Sequence, residues 1–139
     1  MKNVLVLCTG NSCRSQIAEG FLRKYLNDSF TVYSAGLEKH GVNPNAIRVM
    51  KEVGIDISHH TSDIIEDLPE SEFDFVITVC DNARENCPYY PSKTKMIHQT
   101  FTDPSDLEGS SEEKNESFRI CRDAIGFFCK DFAEKNNAL

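Results

Sequence analysis

Two spacings in this chain place reactive side chains where chemistry could use them. The first is Cys8-Thr9-Gly10-Asn11-Ser12-Cys13-Arg14-Ser15, a cysteine and an arginine separated by five residues. Such a loop can turn successive backbone N–H groups inward as a nest for a tetrahedral oxyanion, and Arg14 adds a planar fork of donors. A helix N-terminus and a nearby cation both lower a thiol's pKa, so Cys8 is expected to be a thiolate nucleophile at neutral pH. Gly10 and Asn11 are residue types that tolerate the positive φ such a loop needs. Ser15 is placed to hydrogen-bond the thiolate or to hold the loop, and Cys13 reads as a packing residue rather than a second nucleophile.

The second spacing is Cys80-Asp81-Asn82-Ala83-Arg84-Glu85-Asn86-Cys87-Pro88. If residues 80–87 were helical, the rise would hold the two cysteines roughly 10.5 Å apart. A disulfide needs Cα atoms within about 7 Å. The pair can therefore bond only if the segment unwinds or loops. Asp81, Asn82 and Asn86 are poor helix formers and Pro88 would stop a helix, so rearrangement is cheap. The bland alternative is two buried cysteines on a turn. Asp103, in Asp103-Pro104, is either a general acid or an ordinary turn aspartate.

These residues need elements to position them. Asn3–Cys8 is a short apolar run that reads as a buried strand. Ile17, Ala18, Phe21, Leu22, Tyr25 and Leu26 make a helical stripe over about 13–27. Phe30–Ala35 reads as a strand ended by Gly36. Asn43-Pro44 looks like a cap followed by Pro at the first helical position, giving a helix over about 44–53. Phe73–Val79 and Lys95–Thr100 read as two further strands. Residues 105–117 read as a loop or a helix lead-in. A last helix carries Phe118, Cys121, Ile125, Phe128, Cys129 and Phe132 on one face, and the final seven residues are expected to fray.

Alternating strands and helices predict an α/β fold: one domain over 1–139, a three-layer sandwich with a four-stranded parallel sheet flanked by helices. Ligands of such sheets sit at the carboxyl ends of strands. Cys8, Cys80 and Asp103 each follow a strand, so all three are expected at that edge.

The chain has 139 residues, with 15 Lys+Arg against 22 Asp+Glu and a net charge of −7. That balance argues against nucleic acid or an anionic membrane as partner. The apolar N-terminal run is too short for a signal peptide or a membrane span, so a cytoplasmic location is expected. In that compartment thiols are catalysts, ligands or core residues rather than structural disulfides. The six cysteines form no C-x-x-C pair, and the four histidines have no zinc-type spacing. Nothing in the pattern calls for oligomerisation, so a monomer is expected.

The residues also carry a resemblance. Cys-Thr-Gly-Asn-Ser-Cys-Arg-Ser near the N-terminus, with Asp103-Pro104 late in the chain, resembles the low-molecular-weight protein tyrosine phosphatase superfamily across nearly the whole length. Gln16 stands where the phosphatases usually have Pro, and Ser105-Asp106 where eukaryotic members tend to carry tyrosines. With Tyr33-Ser34-Ala35-Gly36, His40-Gly41-Val42-Asn43-Pro44 and His60-Thr61-Ser62-Asp63, the chain looks like the thioredoxin-coupled arsenate reductases of that superfamily. The resemblance implies arsenate as substrate, with phosphate or sulfate as competing oxyanions. Cys8 would attack arsenic within the loop Thr9–Arg14, and Asp103 would act as general acid. A disulfide would pass from Cys8–Cys80 to Cys80–Cys87, with thioredoxin, or less favourably glutaredoxin or glutathione, as reductant. No cofactor is obligatory, but the resemblance implies a potassium site at Asn11, Glu19, Ser34 and Asp63. Two other readings compete. One is a phosphatase using only Cys8, Arg14 and Asp103. The other is a non-catalytic redox sensor or oxyanion-binding module.

Overall fold

The computed structural model describes residues 1–88, 90–106 and 108–137. Its four strands are β1 (Lys2–Cys8), β2 (Phe30–Gly36), β3 (Phe75–Thr78) and β4 (Lys95–His98). They form one parallel sheet in the order β2-β1-β3-β4. The helices are α1 (Arg14–Tyr25), α2 (Pro44–Glu52), α3 (Asp81–Glu85) and α4 (Ser111–Asn136). The α/β architecture expected from the alternation of elements is the one observed.

Central strand β1 is buried on both faces, as the unbroken run Val4-Leu5-Val6-Leu7 requires. On one face α4 closes the core, with Phe132 edge-on to Phe75 at 5.2 Å between ring centroids. On the other, Tyr33 of β2 meets Phe73 at 5.8 Å, and Phe73 meets Tyr90 at 6.1 Å. Phe73 therefore packs as a covering side chain, and β3 begins two residues later than its apolar pattern suggests. β4 ends at His98 rather than Thr100, although Gln99 and Phe101 still donate to the carbonyls of Thr78 and Val79.

Two expectations about the C-terminal half change. α4 begins at Ser111, inside the stretch read as a loop or lead-in. Ser110 accepts from the Glu113 N–H, and the Glu113 carboxylate accepts from the Ser110 N–H, a capping box that outweighs the weak propensities of Ser and Asn. The helix also runs on to Asn136, and Asn137 accepts from the Asn27 N–H and donates to the Tyr25 carbonyl. That tether holds the end expected to fray; residues 138 and 139 lie outside the described residues.

α4 is bound to α2 by a charge cluster. Arg119 grips both oxygens of Glu52, and Arg122 adds a third contact at 2.8 Å. These arginines, Arg119 first, hold the Glu52 carboxyl down to about 2. Among the described residues, no helix is long and apolar enough to cross a membrane.

Ser110→Ala removes one half of the capping box and is expected to lower unfolding free energy by about 1 kcal/mol in a denaturant titration. An unchanged midpoint would mean that packing alone sets where α4 starts.

Candidate active site

Parallel pairing sets the chemistry at one edge. Cys8 ends β1 in register with Gly36 of β2, while Leu7 is in register with Thr78 of β3. The oxyanion-type loop, Cys80 and the 101–105 segment therefore emerge side by side.

The loop is shaped by what its carbonyls bind. The Thr9 carbonyl accepts from the N–H groups of Leu37 and Glu38 at 2.8 and 2.9 Å. The Gly10 carbonyl accepts from the His40 N–H and the Ser62 hydroxyl, both at 3.0 Å. The Asn11 carbonyl accepts from Gln16 Nε2 at 3.1 Å, and the Ser12 carbonyl from the Asn43 N–H at 2.9 Å. With the carbonyls engaged outward, the N–H groups of residues 10–14 donate to no protein acceptor among the described residues. The N-cap, Cys13, makes no side-chain cap bond, and no acidic residue sits in the first turn of α1. This is the anion nest expected from the sequence, opening on a cavity of about 350 Å³.

Asn11 supplies the turn, at φ 48°. It is fully buried, donates to Ser15 and Ser34 Oγ, and accepts from the Asp63 N–H. Ser15 thus holds the loop through Asn11. Gly10 does not have the positive φ expected of it; a Cβ there would meet the ring of His40, an exposed side chain that would have to move. Buried Gln16 ties the loop to the Thr61 carbonyl at 3.0 Å, and its Oε1 meets His60 Nδ1 at 2.9 Å. Burial pulls the His60 pKa down, so it is neutral at neutral pH.

Arg14 opens α1 with its guanidinium on the far wall, donating to the Phe101 carbonyl at 2.9 Å and reaching Asp103 Oδ2 at 3.4 Å. Asp103 is fixed in turn by the Ser105 N–H and hydroxyl. Thiol, guanidinium and carboxylate share one cavity.

Cys80 is the N-cap of α3 and touches Cys8. The two thiols are near enough for the protonation of one to depend on the other. Donation from Cys8 is the largest of the contacts that bring Cys80 down to about 5, helped by the Thr9 hydroxyl and the Ala83 N–H, each 3.4 Å from its sulfur. Cys8 is pushed up, first by that same bond and then by burial, against the pull of Arg14. Within the pair, negative charge is drawn toward Cys80 and away from Cys8. The loop motif alone points to Cys8 as the thiolate; beside it stands a second thiol that competes for the same charge.

Cys87 lies beyond the C-cap Asn86, half-buried, and burial raises its pKa. Cys13, Cys121 and Cys129 are buried and held as neutral thiols chiefly by burial, Cys121 at about 12. Glu19, Ser34 and Asp63 gather beside the loop along a separate cavity of about 290 Å³. Ser34 Oγ donates to Glu19 at 2.5 Å, and Arg23 Nε donates to the other Glu19 oxygen at 2.8 Å.

This fold and loop define a small phosphatase-type enzyme. The family model of the low molecular weight phosphotyrosine protein phosphatases matches residues 3–138, and the chain belongs to that family. Its relatives there are named arsenate reductases. One from Halalkalibacterium halodurans is 53% identical over 133 residues, and one from Bacillus subtilis is 52% identical over 133, each match covering 96% of both chains. Among solved structures, an arsenate reductase in its oxidized state superposes with a TM-score of 0.82 at 34% identity, covering 97% of this chain and 98% of the other. An arsenate reductase in a phosphate-binding state gives 0.73 at 36% identity over the same shares.

The reduced protein is expected to keep the ultraviolet absorbance of one thiolate as pH falls to about 5 and to lose it below that. Thr9→Val removes a donor to Cys80 and is expected to move the step upward by roughly one pH unit. An unmoved step would remove Thr9 from this account.

Proposed function

We propose that this chain reduces arsenate to arsenite, with Cys8 as nucleophile and Cys80 and Cys87 as the thiols that carry the oxidation away. The supporting observation is the contact between Cys8 and Cys80, with Cys87 waiting past the end of a short helix. A phosphatase needs only the loop, Arg14 and Asp103, and would leave that thiol pair without a task.

The electron count fits. Arsenic gains two electrons, the number one dithiol loses on becoming a disulfide. Arsenate settles on the amides of residues 10–14, with the guanidinium of Arg14 against its oxygens. As Cys8 forms its bond to arsenic, its proton passes to the neighbouring Cys80 sulfur. Asp103 protonates the departing hydroxide, which leaves as water. Cys80 gives the proton it took from Cys8 up to solvent and attacks the Cys8 sulfur as thiolate; the S–As bond breaks, its electron pair stays on arsenic, and arsenite leaves. Cys87 then attacks Cys80, forming the Cys80–Cys87 disulfide and returning Cys8 to its thiolate. That last exchange requires α3 to open. Only Ala83 of its five residues is buried, so little packing opposes the opening.

A disulfide presented at the end of an opened segment suits a dithiol protein of the thioredoxin class as reductant. In this reading the repeated reduction takes place in a reducing, cytoplasmic setting, and the chain acts as a monomer, since nothing in the sequence pattern calls for oligomerisation.

A potassium ion is a further part of this reading. Glu19, Ser34 and Asp63 offer hard oxygens along one cavity and fit such a cation, whereas the side-chain oxygen of Asn11, Oδ1, already accepts from the Asp63 N–H. The ion would neutralise Glu19 beside Arg23 and so steady Ser34, Asn11 and the loop. Raising potassium against a constant background of choline is expected to raise the melting temperature, with the effect lost in Glu19→Gln. A melting temperature indifferent to potassium would contradict the site.

The reaction itself is tested by Cys80→Ser. Arsenate turnover with a thioredoxin system is expected to fall by at least three orders of magnitude, while hydrolysis of an aryl phosphate, where present, survives. Undiminished arsenate turnover would end the relay.

A further inference from the structure

Helix α3 must open for Cys80 and Cys87 to bond, yet side-chain bonds hold its first turn on two sides. Asp81 Oδ1 accepts from Thr100 Oγ1 at 2.7 Å and from His98 Nε2 at 3.1 Å. The other ring nitrogen, Nδ1, lies 2.7 Å from Thr78 Oγ1, which is buried within the sheet. A carboxylate only accepts, so Nε2 carries the proton, and the buried hydroxyl fixes the ring's direction. On the opposite side Asn82 Nδ2 donates to Thr9 Oγ1 at 3.0 Å, and Asn86 Nδ2 donates to Asn82 Oδ1 at 2.9 Å. His98 itself is held by the ladder, in register with Thr78. The bonds from Thr100 and His98 also keep the Asp81 carboxyl below its ordinary range.

We propose that His98 and Thr100 are positioning residues for the second thiol exchange: through Asp81 they keep α3 wound and so favour the dithiol form of the Cys80/Cys87 pair over its disulfide. The proposal rests on the relay described above. α3 spans Asp81–Glu85, with Cys80 extended at its start and Cys87 two residues past its end, so a wound helix with a rise of about 7.5 Å stands between the thiols, and a disulfide needs Cα atoms within about 7 Å. The residues between must leave helical geometry, which carries Asp81, beside Cys80, away from β4. A contact made in one form alone shifts the balance toward that form. The latch thus makes the disulfide easier for an external dithiol to reduce and rewinds α3 for the next cycle.

The test uses the full chain carrying Cys8→Ser, so that Cys80 and Cys87 are the only relay thiols. This protein and its Asp81→Ala, Thr100→Val and His98→Leu derivatives are equilibrated in dithiothreitol redox buffers, trapped and read by mass spectrometry. Each break of the latch is expected to favour the disulfide about three- to tenfold, moving the midpoint potential about 15–30 mV more negative. The melting temperature of the reduced form should fall more than that of the oxidised form. A residue that merely stabilises the fold would lower both melting temperatures alike and leave the midpoint in place, and unmoved midpoints in the derivatives that fold would overturn the latch. Failure of the parent protein to form a Cys80–Cys87 disulfide in any buffer would instead overturn the relay itself, and the latch with it.

Discussion

The site depends on where four consecutive carbonyls, those of residues 9–12, point. Peptide N–H and C=O groups of a tight loop face opposite ways, so a loop that offers its N–H groups to an anion must satisfy its carbonyls behind it. Here Leu37, Glu38, His40, Asn43, Ser62 and Gln16 supply those donors. Asn11 makes the turn that permits this, and its side chain is anchored by Ser15, Ser34 and Asp63. The Thr9 and Gly10 carbonyls each have two donors, whereas loss of Gln16 Nε2 strands the carbonyl of buried Asn11, which costs about 1–3 kcal/mol and lets the loop turn. The segments 37–43 and 60–63 therefore back the loop, and His40 also lines the cavity on which it opens.

The same economy governs the sulfurs. The protonation of one thiol depends on the other, and the donors around Cys80 draw the charge toward it. In the proposed reaction Cys80 would be both the proton acceptor for Cys8 and the next nucleophile, two roles that follow in order once the oxyanion is bound. Thr9 links these events: its backbone belongs to the loop, and its hydroxyl touches both Cys80 and Asn82 of α3.

Much of this was legible in the residues. The alternation of apolar runs yields the sheet, and the rule that sites gather at carboxyl ends brings Cys8, Cys80 and Asp103 to one edge. The Cys8–Arg14 spacing carries the nest, and a helix between Cys80 and Cys87 is visibly a poor one. What was hidden depends on contacts distant in sequence. The ring of His40, though exposed, lies against Gly10, a packing that no local pattern announces. Gln16 and His60 show no motif of their own, because their partners are backbone carbonyls and each other. The charge on Cys80 is equally invisible, since it arises from a neighbour seventy-two positions away. The start of α4 was readable from Ser110 and Glu113 but was masked by the surrounding polar residues.

The central claim is the order in which the thiols act. Its most direct test is a single turnover of the reduced Cys87→Ser protein with arsenate, quenched in acid and mapped by mass spectrometry. The account expects one arsenite released per chain and a Cys8–Cys80 disulfide that accumulates because nothing resolves it. Arsenite release with Cys8 and Cys80 both still reduced would contradict the account.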